Sequence, residues 1–206
     1  GDAYDVSFYP EGGYLMNRVS SRVAFKILNS NGLPQIVTGR IFDNTGRECA
    51  QITALHDGMG LFYLLPEEGL TYHALCKNEA GIEKRFELPA ARNGIYSLQV
   101  ENEGNELFVS VLKSPDIRDQ RELFLVMHTR GMIHYAKSWD HNYESIAFNS
   151  GLFPSGVMQI ILFDEKLNPL SERMVFCLND DQAHAEMITD RQDYDSRDQV
   201  QASLKI

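Results

Sequence analysis

Six histidines, three cysteines and a crowd of aspartates are the residues of this 206-residue chain whose chemistry invites a test. Zinc asks for three or four ligands converging on one point. His128 and His134 flank the turn Arg130-Gly131. A two-residue loop there pairs Thr129 with Met132 and His128 with Ile133, which sends His134 to the opposite face of the ladder. His56 belongs to a turn, His73 stands singly in a strand, and His141 and His184 lack spaced partners. Structural or solvated histidine is the better account of all six, and no metal or other cofactor is expected.

The cysteines are odd in number and form no CxxC pair. Strand alternation puts Cys76 with Tyr72 and Ala74, and Cys49 with Gln51 and Thr53. If the first set faces inward and the second outward, those two are poorly placed to bridge, and idle thiols are expected. Cysteine usage leaves the compartment open. Asp180, Asp181, Asp190, Asp193, Asp195 and Asp198 offer oxygen ligands for calcium, but without the Asp-x-Asp-x-Asp-Gly spacing of a binding loop they read as a solvated linker. Asp57, between His56 and Gly58-Met59-Gly60, suits a turn in which its side chain caps backbone N–H groups. Trp139, with Tyr135, His141 and Tyr143 nearby, is the one candidate interaction surface, an aromatic platform for a sugar or peptide. Core or domain-interface packing is the competing account of that tryptophan. No nucleophile has an adjacent base, and neither a Gly-x-Ser-x-Gly elbow nor a phosphate-cradling loop occurs. A non-enzymatic chain is expected.

These residues sit on short strands. From residue 36 to 76 the chain reads strand, turn, strand, tight turn, strand, loop, strand, punctuated by Asp43-Asn44-Thr45-Gly46, His56-Asp57-Gly58-Met59-Gly60 and Pro66. Strands at 6–9 and 22–28 precede it and one at 83–88 follows, giving seven in about 90 residues, the count of an immunoglobulin-like sandwich. A second set of seven begins near residue 94, at 96–100, 107–112, 122–129, 132–138, around Ile146 and Phe148, 157–163 and 173–178. No helical period persists for ten residues. The expected architecture is all-β: tandem immunoglobulin-like antiparallel sandwiches at 1–93 and 94–179, then residues 180–206 as an acidic linker and the first strands, 185–189 and 200–206, of a third domain. Phe25, Ile41, Phe62 and Tyr72 should face the first core, and Leu125, Ile160 and Phe176 the second.

A formal charge of −10 argues against binding a nucleic-acid backbone. Hydrophobic residues make up 43%, yet no apolar run approaches the ~18 residues of a membrane span. A chain opening on Gly1 rather than Met reads as a processed or excised piece whose targeting signal has been removed.

Phe8-Tyr9-Pro10-Glu11-Gly12-Gly13 followed by Arg22-Val23-Ala24-Phe25-Lys26 resembles the opening of a macroglobulin-like domain in bacterial relatives of α2-macroglobulin. Gly39-Arg40-Ile41-Phe42-Asp43, His56-Asp57-Gly58-Met59-Gly60 and Tyr72-His73-Ala74 continue the likeness in order. Pro154-Ser155-Gly156-Val157, Leu162-Phe163-Asp164 and Glu172-Arg173-Met174-Val175-Phe176 look like the last strands of a neighbouring such domain, and Tyr194-Asp195-Ser196-Arg197-Asp198-Gln199-Val200 like the start of the next. These are turns and core strands, so they imply a fold and not an activity. The superfamily's Cys-Gly-Glu-Gln thioester is missing: Cys49, Cys76 and Cys177 are followed by other residues. The resemblance implies an exported, multidomain bacterial protein of the periplasm or cell surface. The expected role is a non-catalytic scaffold or interaction module. The alternatives are a fragment of a protease-trapping inhibitor and a carbohydrate-binding accessory domain using the Trp139 region. Expected partners are other domains of the parent protein and a protein or glycan ligand, with self-association through the tail.

Overall fold

A computed structural model describes residues 3–54, 56–118, 120–179, 181, 186–191 and 193–205. Asp180, His184, Ala185 and Ile206, which enter the readings above, lie outside the described residues. Seven strands come first: β1 (Tyr4–Pro10), β2 (Ser21–Asn29), β3 (Val37–Asp43), β4 (Glu48–Thr53), β5 (Met59–Leu64), β6 (Tyr72–Asn78) and β7 (Glu83–Glu87). They form two antiparallel sheets, ordered β1-β2-β5 and β4-β3-β6-β7. The fourth strand pairs with the third instead of joining the sheet of the first two, unlike the arrangement of an immunoglobulin constant domain. Alternation decides what enters the space between them. Val23, Phe25 and Ile27 of β2 are buried against Ile41, Ile52, Phe62 and Tyr72, each fully buried side chain of this size contributing about 1.5–3 kcal/mol.

The next seven are β8 (Tyr96–Glu103), β9 (Glu106–Lys113), β10 (Leu123–Thr129), β11 (Met132–Ser138), β12 (Ser145–Asn149), β13 (Gly156–Asp164) and β14 (Pro169–Cys177). Their sheets are ordered β12-β9-β8 and β11-β10-β13-β14. Strand for strand this is the connectivity of the first sandwich, so one design occurs twice. Leu123, Leu125 and Met127 of β10 meet Met158, Ile160 and Leu162 of β13 in a second core. A last pair, β15 (Glu186–Thr189) and β16 (Ala202–Lys205), makes a separate two-stranded sheet whose residues are all exposed.

Six of the seven residues expected in the cores are buried. Phe176 is the correction: it is 61% exposed. The ladder sets Ser171, Arg173, Val175 and Cys177 opposite Leu162, Ile160, Met158 and Gly156. That puts the odd-numbered residues of β14 on the inner face. Phe176 has the wrong parity, and its partner across the ladder, Val157, is exposed as well. Hydrophobicity nominated it, and register overruled it.

Candidate functional site

The most completely built polar site joins the two sandwiches. It starts from Pro10-Glu11-Gly12-Gly13, which ends β1 in a single 3-10 turn at Glu11–Gly13. Pro10 closes the strand because it has no N–H to continue the ladder. The turn then carries Glu11 and Gly12 onto β8 and β14 of the second sandwich.

Glu11 is the anchor, its side chain only 6% exposed. A buried carboxylate is tolerated only when charge and hydrogen bonds compensate its lost hydration. Arg22, on β2, supplies both in a two-pronged contact: Nε donates to Oε2 and Nη2 to Oε1, each at 2.8 Å. Arg173 Nη2, on β14, approaches Oε1 at 3.2 Å, and the backbone N–H of Val100, on β8, donates to the same oxygen at 3.4 Å. One carboxylate is thus shared by a cation from each sandwich. The Glu11 hydrogen bond is the main reason the Arg22 guanidinium holds its proton more tightly than usual.

The backbone around Glu11 is gripped as well. Ser97 Oγ donates to the Glu11 carbonyl at 3.3 Å, and Ser171 Oγ to the Gly12 carbonyl at 3.0 Å. Ser171 in turn accepts from the Leu98 N–H at 2.9 Å. Gly12 has φ +75°, and a Cβ there would stand 1.8 Å from Ser97 Oγ and 2.9 Å from the Leu98 carbonyl. Only glycine fits, for conformation and for space. Pro-Glu-Gly-Gly reads in the sequence as a strand-ending turn; its second purpose depends on partners 86 and 159 residues away.

The candidate aromatic surface is distributed differently. Trp139 is 6% exposed and belongs to the second core, its backbone N–H donating to the Leu123 carbonyl at 2.8 Å. Tyr135 is half-buried, edge-on to Phe148 with ring centroids 4.9 Å apart. A β-bulge between Met127 and His128 pairs Met127 with Tyr135, which turns the tyrosine toward that core. His141 Nε2 lies 2.7 Å from the Arg121 carbonyl, and of the four residues only Tyr143 is largely exposed.

His128 and His134 do not converge. His128 Nδ1 accepts from the Gly131 N–H, and the His134 ring stands edge-on to Phe153. Among the described residues no group of three or more His, Cys, Asp or Glu is disposed to hold a metal ion, and no helix is long and apolar enough to cross a membrane. The three cysteines are unbridged, Cys76 and Cys177 buried and Cys49 half-buried.

Asp57 departs from its expected role. Its turn is closed by backbone bonds between His56 and Met59, while Oδ2 meets His56 Nε2 at 3.0 Å. Asp43 and Asp164 are among the aspartates that do cap turns. Asp43 Oδ1 accepts from the Thr45 hydroxyl and from the N–H groups of Thr45 and Arg47. Asp164 Oδ1 accepts from the N–H groups of Lys166 and Asn168, and Oδ2 from the Asn168 amide.

No protein-family model matches the chain, and no curated protein matches it. Among solved structures it aligns with parts of longer chains and with a two-domain segment. A mutant of Salmonella alpha-2-macroglobulin aligns over 100% of this chain and 18% of its own, with 8% identity and a TM-score of 0.34. The E. coli alpha-2-macroglobulin aligns over 98% and 16%, with 9% identity and a TM-score of 0.33. A two-domain fibronectin type-III segment of chicken tenascin aligns over 81% and 98%, with 10% identity and a TM-score of 0.31. The chain spans less than a fifth of the two macroglobulins. At these TM-scores the likenesses add nothing to the strand orders described above, on which the fold class stands.

Proposed function

We propose that this chain is a non-catalytic scaffold and interaction module of a larger, exported bacterial protein, and that its task is to hold successive sandwiches at one fixed angle. The observation carrying this reading is the shared carboxylate of Glu11, bound by Arg22 from the first sandwich and Arg173 from the second. Two modules on a flexible tether need no such junction. Burying a carboxylate between them is costly unless the geometry is kept, because loss of either guanidinium leaves charge uncompensated. The glycan-binding alternative leans on Trp139, whose ring is packed inside the second core, and no specific observation favours a protease trap.

Residual dipolar couplings test the reading. A scaffold gives one alignment tensor for both sandwiches, and Glu11→Ala gives two tensors of different magnitude with each sandwich still folded. Two independent tensors in the unsubstituted protein would end the proposal.

A further inference from the structure

The β15–β16 hairpin has two unlike faces. Met187 stands opposite Leu204 and Thr189 opposite Ala202, while Glu186 stands opposite Lys205 and Ile188 opposite Ser203. One face is therefore mostly apolar and the other carries a pair of opposite charges, the division seen in a half-buried antiparallel ladder. Yet Met187 is 69% and Leu204 63% exposed. Two strands alone are marginal in water, so this face calls for a cover.

A second uncovered face lies where the second sandwich ends. Val157 stands opposite Phe176. Met174 and Leu178 flank Phe176 two residues away on either side, and all four are exposed, as is Leu152 in the adjoining turn. Val157, Met174, Phe176 and Leu178 thus make an exposed apolar row on one side of the β13–β14 ladder, and exposed apolar patches of this kind mark interaction sites.

The chain brings these two faces together. Asn179 Nδ2 donates to the carbonyls of Ser150 and Phe153, and its N–H donates to Ser155 Oγ at 2.7 Å. The Ser155 N–H donates to Asp181 at 2.9 Å. Residue 181 is thereby tied down two residues from Val157, and the five steps to Glu186 span at most roughly 17 Å. A tether of that length gives an effective concentration in the millimolar range, which a free second copy does not match. The first junction is approached in the same manner. Asn93 Nδ2 donates to Glu68, in the β5–β6 turn, as the chain leaves the first sandwich; Asn179 holds the β12–β13 turn, its counterpart in the second.

We propose that the Val157–Phe176–Leu178 face is the seat of the β15–β16 hairpin of the same chain, which packs on it through Met187 and Leu204 and forms a second junction in series with the Glu11 clasp. This deepens the scaffold reading and rests on it. The competing assignment, in which the hairpin opens a third sandwich and turns Met187 and Leu204 into that sandwich's own core, predicts no such contact.

The test is paramagnetic broadening in the full chain, with a spin label at Ser203→Cys on the outer face of the hairpin in a Cys49→Ser background. The expected result is loss of amide intensity at 156–159 and 174–178. That loss should vanish in Phe176→Asp and in Met187→Ser, while chemical-shift dispersion shows both sandwiches intact. No broadening at those amides overturns the proposal. So does broadening that survives only when labelled and unlabelled chains are mixed, which would make a second copy the occupant. The dipolar couplings between the two sandwiches do not involve the hairpin, so the scaffold reading and this one fail separately.

Discussion

Ser171 Oγ and the Gly12 carbonyl meet at 3.0 Å across 159 residues of sequence, tying the turn after the first strand of one sandwich to the last strand of the next. The same hydroxyl accepts from the Leu98 N–H. Three segments far apart in the chain thus converge on one serine: its bond to Leu98 lies within the second sandwich, and its bond to Gly12 is the one that rotation of either sandwich breaks.

Gly12 and Gly13 should respond differently to alanine. Both have positive φ, but a Cβ on Gly13 meets nothing within 4 Å, whereas one on Gly12 runs into Ser97 and Leu98. Gly13→Ala should cost about 1 kcal/mol in backbone strain. Gly12→Ala adds the overlap, a further ~1–3 kcal/mol, and should split calorimetric unfolding into two transitions as the sandwiches uncouple. Equal melting profiles for the two variants would contradict the clasp.

Phe62 and Phe176 form a second contrasting pair. Phe62→Ala should destabilise the first sandwich by about 3–5 kcal/mol, because it leaves a cavity beside Phe8 and Phe25. Phe176→Ala, on the outer face, opens no cavity in the second core and should change that sandwich's own stability by only about 0.5 kcal/mol, its effect falling on the seating of the hairpin. Urea unfolding followed by the two sandwiches' own resonances measures both.

Acid should attack the capped turns. The Thr45 hydroxyl's hydrogen bond first, then the backbone N–H groups and Arg47, hold the Asp43 carboxyl below its ordinary 3.8. The Asn168 side chain does the same for Asp164. Groups whose pKa is depressed on folding stabilise fully above the unfolded value and lose that contribution as pH falls through the folded one. Stability should therefore fall with a steeper slope below about pH 4 in the parent than in Asp43→Asn or Asp164→Asn. Thermal midpoints between pH 2 and 6 provide the check.

The thiols should separate by reactivity. Burial pushes Cys76 up to about 11 and Cys177 upward as well, while Cys49 is half-buried at the start of β4. A thiol reagent at pH 8 should titrate one cysteine quickly and reach the other two only on unfolding, since the thiolate is the reactive form. Three fast thiols would mean that the cores open readily.

What the sequence determined by itself was local. Asn-, Asp- and Gly-rich turns punctuate β-branched and aromatic runs, and that pattern specifies fourteen short strands in two groups because alternation and turn chemistry act within a few residues. The inward positions of β2, β3 and β6 follow from the same parity. Phe176 shows where that reasoning stops: its face depends on how β14 registers against β13, and only the ladder from Ser171 to Cys177 sets the parity. Tyr135 is turned by a bulge that leaves no clear mark in the residues around it. The inter-sandwich clasp was the least legible feature of all. Glu11, Arg22, Ser97, Ser171 and Arg173 are ordinary polar residues on three distant segments, and nothing local distinguishes them from solvated ones. They become a site only when the packing of one sandwich on the other takes Glu11 out of water and leaves Arg22 and Arg173 as the groups able to compensate its charge.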